Sequence, residues 1–330
     1  MSFLKNKTIL ITGGTGSFGR AFLKKILKNF DDIKKIIIFS RDELKQFEMS
    51  QEIESKKLKV IRFFIGDVRD GQRLERALDG VNYVIHAAAL KQVVTSEYNP
   101  FETIKTNVIG SQNLIEACLN KSVEKVIALS TDKASSPINL YGATKLCADK
   151  LFISANNIIG KNNIKFSVLR YGNVMFSRGS IMPLLIDRYK KNENFEITDK
   201  RMTRFNIELD QAIDLSIDCL KNMHGGELFV PKLKSYNVID LAKAISKKNK
   251  IDIIGIRPGE KLHEEMISSI DSLNTYKLRN LFVIVDPLNK KLHQKYSKFS
   301  KVKPNYSYNS FDNKDFLTPA QLVKIVKKYM

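Results

Sequence analysis

Short apolar runs recur at Thr8–Thr12, Lys35–Phe39, Val60–Ile65, Tyr83–His86, Lys125–Ser130 and Phe166–Tyr171. They are rich in Ile, Val and Phe with little polar alternation, which predicts strands buried on both faces of a parallel sheet. Between them, Ala21–Leu27, Phe101–Leu119 and Ala143–Ala155 carry apolar residues at helical spacing. Strand and helix in alternation define a doubly wound α/β fold. Beyond Tyr171 the rhythm shortens: helices are expected at Ile181–Lys190, Leu209–Asn222 and Val238–Ser246. A basic loop follows at Lys290–Lys303, and a closing helix at Pro319–Tyr329. The division expected is a first domain over residues 1–170 and a smaller lobe over 171–330, with segments interleaved between them.

Composition adds constraints rather than a new picture. The chain has 330 residues, 43% of them hydrophobic, with only 8 Pro and 16 Gly. That is globular composition. The three cysteines, Cys118, Cys147 and Cys219, are scattered and form no C-x-x-C pair, so reduced thiols in the cytoplasm and no metal site are expected. The N-terminus shows no signal-peptide pattern, and no apolar run reaches the roughly 18 residues of a membrane span. The formal charge is +20, yet the lysines are spread without a basic block. This favours a lysine-decorated surface, and a field that attracts anions, over a nucleic-acid binder.

Two motifs carry chemistry. The stretch Thr12-Gly13-Gly14-Thr15-Gly16-Ser17-Phe18-Gly19 runs from a strand into a helix. Glycines at 13, 16 and 19 allow a tight turn and close approach to a pyrophosphate, which the helix N-terminus then receives. The second strand ends at Ser40-Arg41, with Lys45 one turn on, where an NAD site usually presents an acid. An arginine there suits a 2′-phosphate, so NADP is expected ahead of NAD, although Asp42 and Glu43 stand close by. Asp67 and Val68 are placed at the adenine edge, and Ala87 to Ala89 are small enough to pass beneath a dinucleotide. His86 reads as a satisfied strand-end histidine.

The second motif is Tyr141-Gly142-Ala143-Thr144-Lys145, whose Tyr and Lys share one helical face. An ammonium beside the phenol favours phenolate, allowing Tyr141 to take a hydroxyl proton while the carbon gives up a hydride. The fifth strand ends in Thr131-Asp132-Lys133. A plain oxidoreductase needs only Tyr, Lys and the Thr131 hydroxyl. An added acid and amine suit a 4,6-dehydratase, with Asp132 as acid to the departing 6-hydroxyl and Lys133 as base at C5.

With these motifs in place, the sequence resembles the inverting UDP-N-acetylglucosamine 4,6-dehydratases, extended short-chain dehydrogenases/reductases that open pseudaminic acid biosynthesis. The resemblance is carried by the two motifs above, Leu129-Ser130-Thr131-Asp132-Lys133-Ala134, Arg201-Met202-Thr203-Arg204-Phe205, and Arg257-Pro258-Gly259-Glu260-Lys261-Leu262-His263-Glu264. It implies a Rossmann domain with bound NADP, a redox-neutral C4 oxidation, C5–C6 water elimination and hydride return, and a homo-oligomer. It also places Lys91, Asn173, Arg178, Thr198, Arg201, Arg257 and Glu260 at the UDP-sugar, with Lys91 near the cofactor as well. The sequence departs from the family pattern at Gln92, Ser136, Phe176 and Asn206. Phe176, standing for a glycine, is expected to crowd the sugar pocket. The alternatives are a retaining dehydratase, a 4-epimerase, an enzyme for another sugar, or a non-catalytic NADP-sensing or RNA-binding protein.

Overall fold

The structure is a computed structural model that describes residues 3–177 and 179–330. Six parallel strands form the body of its main sheet: β1 (Thr8–Thr12), β2 (Lys35–Ser40), β3 (Ile61–Ile65), β4 (Tyr83–His86), β5 (Lys125–Thr131) and β6 (Lys165–Tyr171). Each sits within a residue or two of its expected place. β1, β2, β4 and β5 are almost continuously buried, because helices cover both faces. The chain after residue 170 returns to this sheet three times. Strand Glu227–Pro231 pairs parallel with β6, and Leu281–Val285 and Thr275–Lys277 then add antiparallel at the edge. The full order is Thr275–Lys277, Leu281–Val285, Glu227–Pro231, β6, β5, β4, β1, β2, β3. The reversal of direction between β1–β2 and β4–β5 opens the crevice in which such sheets bind ligands.

A second, smaller core lies beside the sheet. Met182, Phe195, Tyr236, Leu241 and Leu322 pack together there, with the closing helix Pro319–Lys327 among the contributors. Two expectations need correction. The stretch Lys290–Lys303 is not all loop: Lys290–Tyr296 is a helix, capped by Asn289 accepting from the Leu292 N–H. Leu292 and Tyr296, four residues apart, are buried and give it an inward face that its lysines conceal in the sequence. The helix expected at Phe101–Leu119 is continuous but holds a π-turn at Lys105–Ile109, between Pro100–Ile104 and Gly110–Leu119. That turn carries Asn107, which pins the loop after β4. Its Oδ1 accepts from the Leu90 N–H (2.8 Å), while its Nδ2 donates to the Leu90 carbonyl (2.9 Å) and to Thr144 Oγ1 (3.0 Å). Among the described residues no helix is long and apolar enough to cross a membrane.

Candidate functional site

A cleft of about 1000 Å³ runs across the C-terminal edge of the sheet, from the glycine turn to the second core. At its first end the wall is largely backbone. Gly13 has φ 65°, and a Cβ there would stand 2.8 Å from the Ala88 N. The turn after β1 and the loop after β4 therefore fit together only without a side chain. The helix Ser17–Asn29 begins directly at the cleft with Gly16 as its N-cap. Thr15, Ser17, Phe18, Ser40, Arg41, Lys45, Asp67, Val68, Ala87 and Ala89 line this end as expected. Gly19 lies outside the lining; a Cβ there would collide with the Gly14 carbonyl, so its role is to seat the helix on the turn.

The charges at this end are largely paired. Asp42 Oδ1 caps the helix Glu43–Gln51, accepting from the Lys45 N–H (3.0 Å), and its other oxygen holds the Lys45 ammonium. Both residues are thereby engaged with each other. Asp67 is bound by Arg69 through Nε (2.9 Å) and Nη2 (2.7 Å), and Arg41 Nη1 stands 3.7 Å away. Burial pushes the Asp67 carboxyl up, but the Arg69 hydrogen bonds and the two guanidinium charges hold it below its usual range. His86 is wholly buried, with Nδ1 2.8 Å from Thr12 Oγ1, and burial depresses it to about 3. It is neutral and structural.

The middle of the cleft carries the Tyr–Lys pair. Asn139 caps the helix Leu140–Ser154 by accepting from the Gly142 N–H (2.8 Å), which sets Tyr141 in its first turn and Lys145 one turn on. Burial raises Tyr141 to about 12, against the pull of the Lys133 ammonium and a hydrogen bond with Thr131. The Lys133 ammonium thus pulls on the phenol from the strand side, in addition to the lysine one turn along the helix. The Lys145 amine donates to the Leu129 carbonyl (2.7 Å), and burial lowers its pKa.

Next to Tyr141 lies a cluster of buried charge. Lys133 Nζ contacts Glu264 Oε1 (2.9 Å), Asp132 Oδ1 (3.1 Å) and Asn173 Oδ1 (3.2 Å). Burial disfavours its charge, but the Asp132 and Glu264 carboxylates more than compensate and hold it an ammonium well above the ordinary range. One ionised neighbour at this range contributes roughly 4 kcal/mol at an effective dielectric of about 20, or about three pK units. Asp132 is fully buried and lies beneath the cleft floor, outside the lining. Burial and the Glu264 charge push its carboxyl up, against the nearby Lys133. Its Oδ2 has no hydrogen-bond partner and faces Gly172, a cleft-lining residue with no side chain to cover it.

Glu264 behaves oppositely: burial would raise it, but Lys133, Arg204 and Lys261 hold it below the usual range. Its backbone is anchored on both sides. The Glu264 N–H donates to Ser310 Oγ (2.9 Å), and the Ser310 N–H donates to the Glu264 carbonyl (2.8 Å). Glu264, Arg204 and Lys261 all line the cleft, and none was singled out from the sequence as a site residue. Their only signal was membership of two motifs from distant parts of the chain.

At the far end Lys91, Asn173, Thr198, Arg257 and Glu260 line the cleft as expected. Arg201 does not: its guanidinium is held by Asp199 through Nε (3.0 Å) and Nη2 (2.8 Å), and it is exposed away from the lining. Arg204 of the same segment takes the cleft position, its Nη2 3.4 Å from Glu260 Oε1. Arg178 lies outside the described residues. Phe176 does not crowd the pocket; its ring is stacked on Tyr329 at 4.4 Å, outside the lining, from a backbone at φ 60°. Gln92 does line the cleft, while Asn206 is buried away from it with an unpartnered Oδ1.

A parallel sheet with its cleft at the switch point, a glycine turn and a Tyr–Lys helix together define an extended short-chain dehydrogenase/reductase. Within that class the chain belongs to the polysaccharide biosynthesis protein family, whose pattern matches residues 9–286. It is 50% identical to the UDP-N-acetylglucosamine 4,6-dehydratase (inverting) of Campylobacter jejuni subsp. jejuni serotype O:23/36 (strain 81-176), covering 97% of each chain. It is 46% identical to the UDP-glucose 4-epimerase of Rickettsia bellii (strain RML369-C), over 84% of this chain and 83% of that one. The crystal structure of Pen from Bacillus thuringiensis superposes with a TM-score of 0.90 at 37% identity, covering 99% of both chains.

Proposed function

We propose that the protein is a UDP-N-acetylglucosamine 4,6-dehydratase that inverts C5 and carries NADP. The observation that carries this reading is the Asp132–Lys133–Glu264 cluster beside Tyr141. The relative with the dehydratase name matches at 50% identity over 97% of the chain, and the one with the epimerase name at 46% over 84%. The cluster favours the dehydratase. Moving a hydride on and off C4 has no use for a buried acid and a carboxylate-bound amine side by side, whereas elimination across C5–C6 uses both.

A bound oxidised nicotinamide supplies the hydride acceptor at C4 and a positive charge beside the phenol. Tyr141, neutral in the free cleft, takes the O4 proton with that charge, the Lys133 ammonium and the Thr131 hydrogen bond all favouring the phenolate. The ketone then acidifies C5–H, and Lys133 removes that proton. Asp132, whose carboxyl burial pushes up, supplies the proton with which the 6-hydroxyl leaves as water. Arg204, Arg257 and Lys91 supply positive charge at the substrate end for a diphosphate.

For the cofactor, Ser40 and Arg41 line the adenosine end, and Asp42 is occupied as a helix cap instead of being free for a ribose hydroxyl. This supports NADP. Exposed Tyr98 and Phe101 on neighbouring helices support a homo-oligomer, and the resemblance places the enzyme in the cytoplasm, working on pseudaminic acid precursors.

The test is turnover of UDP-N-acetylglucosamine in deuterated water, followed by NMR, with the cofactor released by denaturation and weighed. A 4-keto-6-deoxy product with deuterium at C5, L-arabino configuration and a released cofactor bearing a 2′-phosphate support the reading. C5 retention overturns its stereochemistry. A C4 epimer with no deoxygenation overturns its chemistry.

A further inference from the structure

Lys133 cannot serve as a base in the state the structure shows, because its nitrogen already holds three protons between two carboxyl groups. One of those protons must leave as the C5 proton arrives. Among the described residues, three groups touch Nζ. The Asn173 amide oxygen accepts hydrogen bonds but not a proton. Asp132 is pushed by burial and by the Glu264 charge toward keeping its own proton, and one of its oxygens has no hydrogen-bond partner among the described residues. Glu264 remains. It is 2% exposed, its Oε1 makes the shortest of the three contacts at 2.9 Å, and its Oε2 has no hydrogen-bond partner.

We propose that Glu264 is the terminal acceptor of the C5 proton, receiving a proton from Lys133 across their contact as Lys133 takes one from the sugar. The proposal rests on the dehydratase reading above. In this step the C5–H bond breaks and its electron pair enters the C4–C5 enolate. A new N–H bond forms on Lys133 while an existing N–H proton moves to Glu264 Oε1. Asp132 gives its proton to O6, which departs as water with the C6–O electron pair. Lys133 is an ammonium before and after. Glu264 passes from carboxylate to acid and Asp132 from acid to carboxylate, and both are restored when Lys133, in contact with each, takes a proton from Glu264 and passes one to Asp132.

The surrounding charges support this direction of transfer. Arg204 (Nε 3.8 Å from Glu264 Oε1) and Lys261 keep Glu264 an anion ready to accept. Tyr141, Tyr236 and Lys91 also sense Lys133, and they are neutral or cationic, so none competes for its proton. Glu264 lines the cleft but is almost wholly buried, and it acts on the sugar through Lys133, which makes it a positioning and relay residue.

The experiment uses Glu264→Gln, which keeps the shape and can accept a hydrogen bond but not a proton. The full-length protein with bound cofactor is mixed with UDP-N-acetylglucosamine in single turnover from about pH 6 to 9. Absorbance of the reduced nicotinamide reads C4 oxidation, and NMR reads the 6-deoxy sugar. C4 oxidation persists in the variant, while 6-deoxy formation at neutral pH falls about 10²-fold. The deficit then shrinks about tenfold per pH unit, as Lys133 loses its proton directly to water, whereas the wild type stays flat. Glu264→Asp restores part of the neutral rate. A flat, wild-type profile in Glu264→Gln overturns the relay. So does a parallel loss of both steps at every pH, the mark of a merely structural role. If the wild type itself makes no 6-deoxy sugar, the dehydratase reading fails first and takes the relay with it.

Discussion

The two ends of the cleft are made of different materials. The dinucleotide end is shaped by backbone: Gly13 at φ 65° lies against the Ala88 N, and a helix starts directly behind it. Its charged side chains are mostly paired among themselves, as in Asp42 with Lys45 and Asp67 with Arg69. The sugar end is shaped by buried charge whose pairing is incomplete. Asp132 Oδ2 and Glu264 Oε2 have no hydrogen-bond partners among the described residues, and the two carboxyl groups on one lysine are pushed in opposite directions. One end is built to hold a ligand in a fixed place and the other to move protons. Incomplete satisfaction is costly in a core but useful where a group must change its protonation during a reaction.

This contrast ranks the outcomes of mutation. Tyr141→Phe removes the proton acceptor at the junction of the two ends, and kcat falls on the order of 10²–10⁴-fold while the melting temperature holds. Retained turnover would mean the hydride step runs without this phenol. A smaller effect separates the structural side of the cleft from the proton-handling side. His86, behind the dinucleotide wall, is depressed to about 3 from a reference of 6.5. The unfolded chain therefore binds the extra proton between these values. Stability from this group is complete above pH 6.5 and is lost as pH falls toward 3. Urea titrations at pH 7 and pH 5 are expected to differ by up to roughly 2 kcal/mol more in the wild type than in His86→Gln. Equal pH dependence in the two proteins would remove His86 from the account.

The smallest effect concerns Phe176. Its left-handed backbone costs about 1–2 kcal/mol, and its stack on Tyr329 returns about 0.5–1.5 kcal/mol beyond the area buried. Phe176→Gly, which loses both, changes stability by less than about 1 kcal/mol. Tyr329→Ala keeps the strain, loses the stack, and is the more destabilising of the two in the same urea assay. Neither changes the product, because the ring lies outside the lining.

What could be read from the sequence follows the same contrast. Strands β1 to β6, the glycine turn and the Tyr141–Lys145 face are local patterns, so their periods and spacings gave them away. Asp132 and Lys133 were visible because the chain places them side by side. Glu264 was not, because its role arises where residues 257–264 fold over the end of β5, a contact held by Asn139 Nδ2 on the Gly259 carbonyl and Lys261 Nζ on the Ser135 carbonyl. Arg201 was misjudged for the same reason: in the sequence nothing distinguishes it from Arg204, and only the fold shows Asp199 capturing one and the cleft the other. The departures at Ser136 and Phe176 also acquire meaning only in space. Both lie at positive φ, 43° and 60°, a backbone that Gly and Asn tolerate better than Ser or Phe. At Ser136 the hydroxyl donates to Glu265 Oε2 (2.6 Å), which fixes the turn between Lys133 and Tyr141.

The central claim is that acid and base work are divided between the two carboxyl groups that share Lys133. The most direct test is Asp132→Asn with UDP-N-acetylglucosamine in deuterated water. The account predicts that C4 oxidation and C5 deprotonation continue while the 6-hydroxyl cannot leave, so recovered UDP-sugar carries deuterium at C5 and no 6-deoxy product forms. Formation of 6-deoxy sugar at the wild-type rate would contradict the account, because the leaving hydroxyl would then be taking its proton from somewhere other than Asp132.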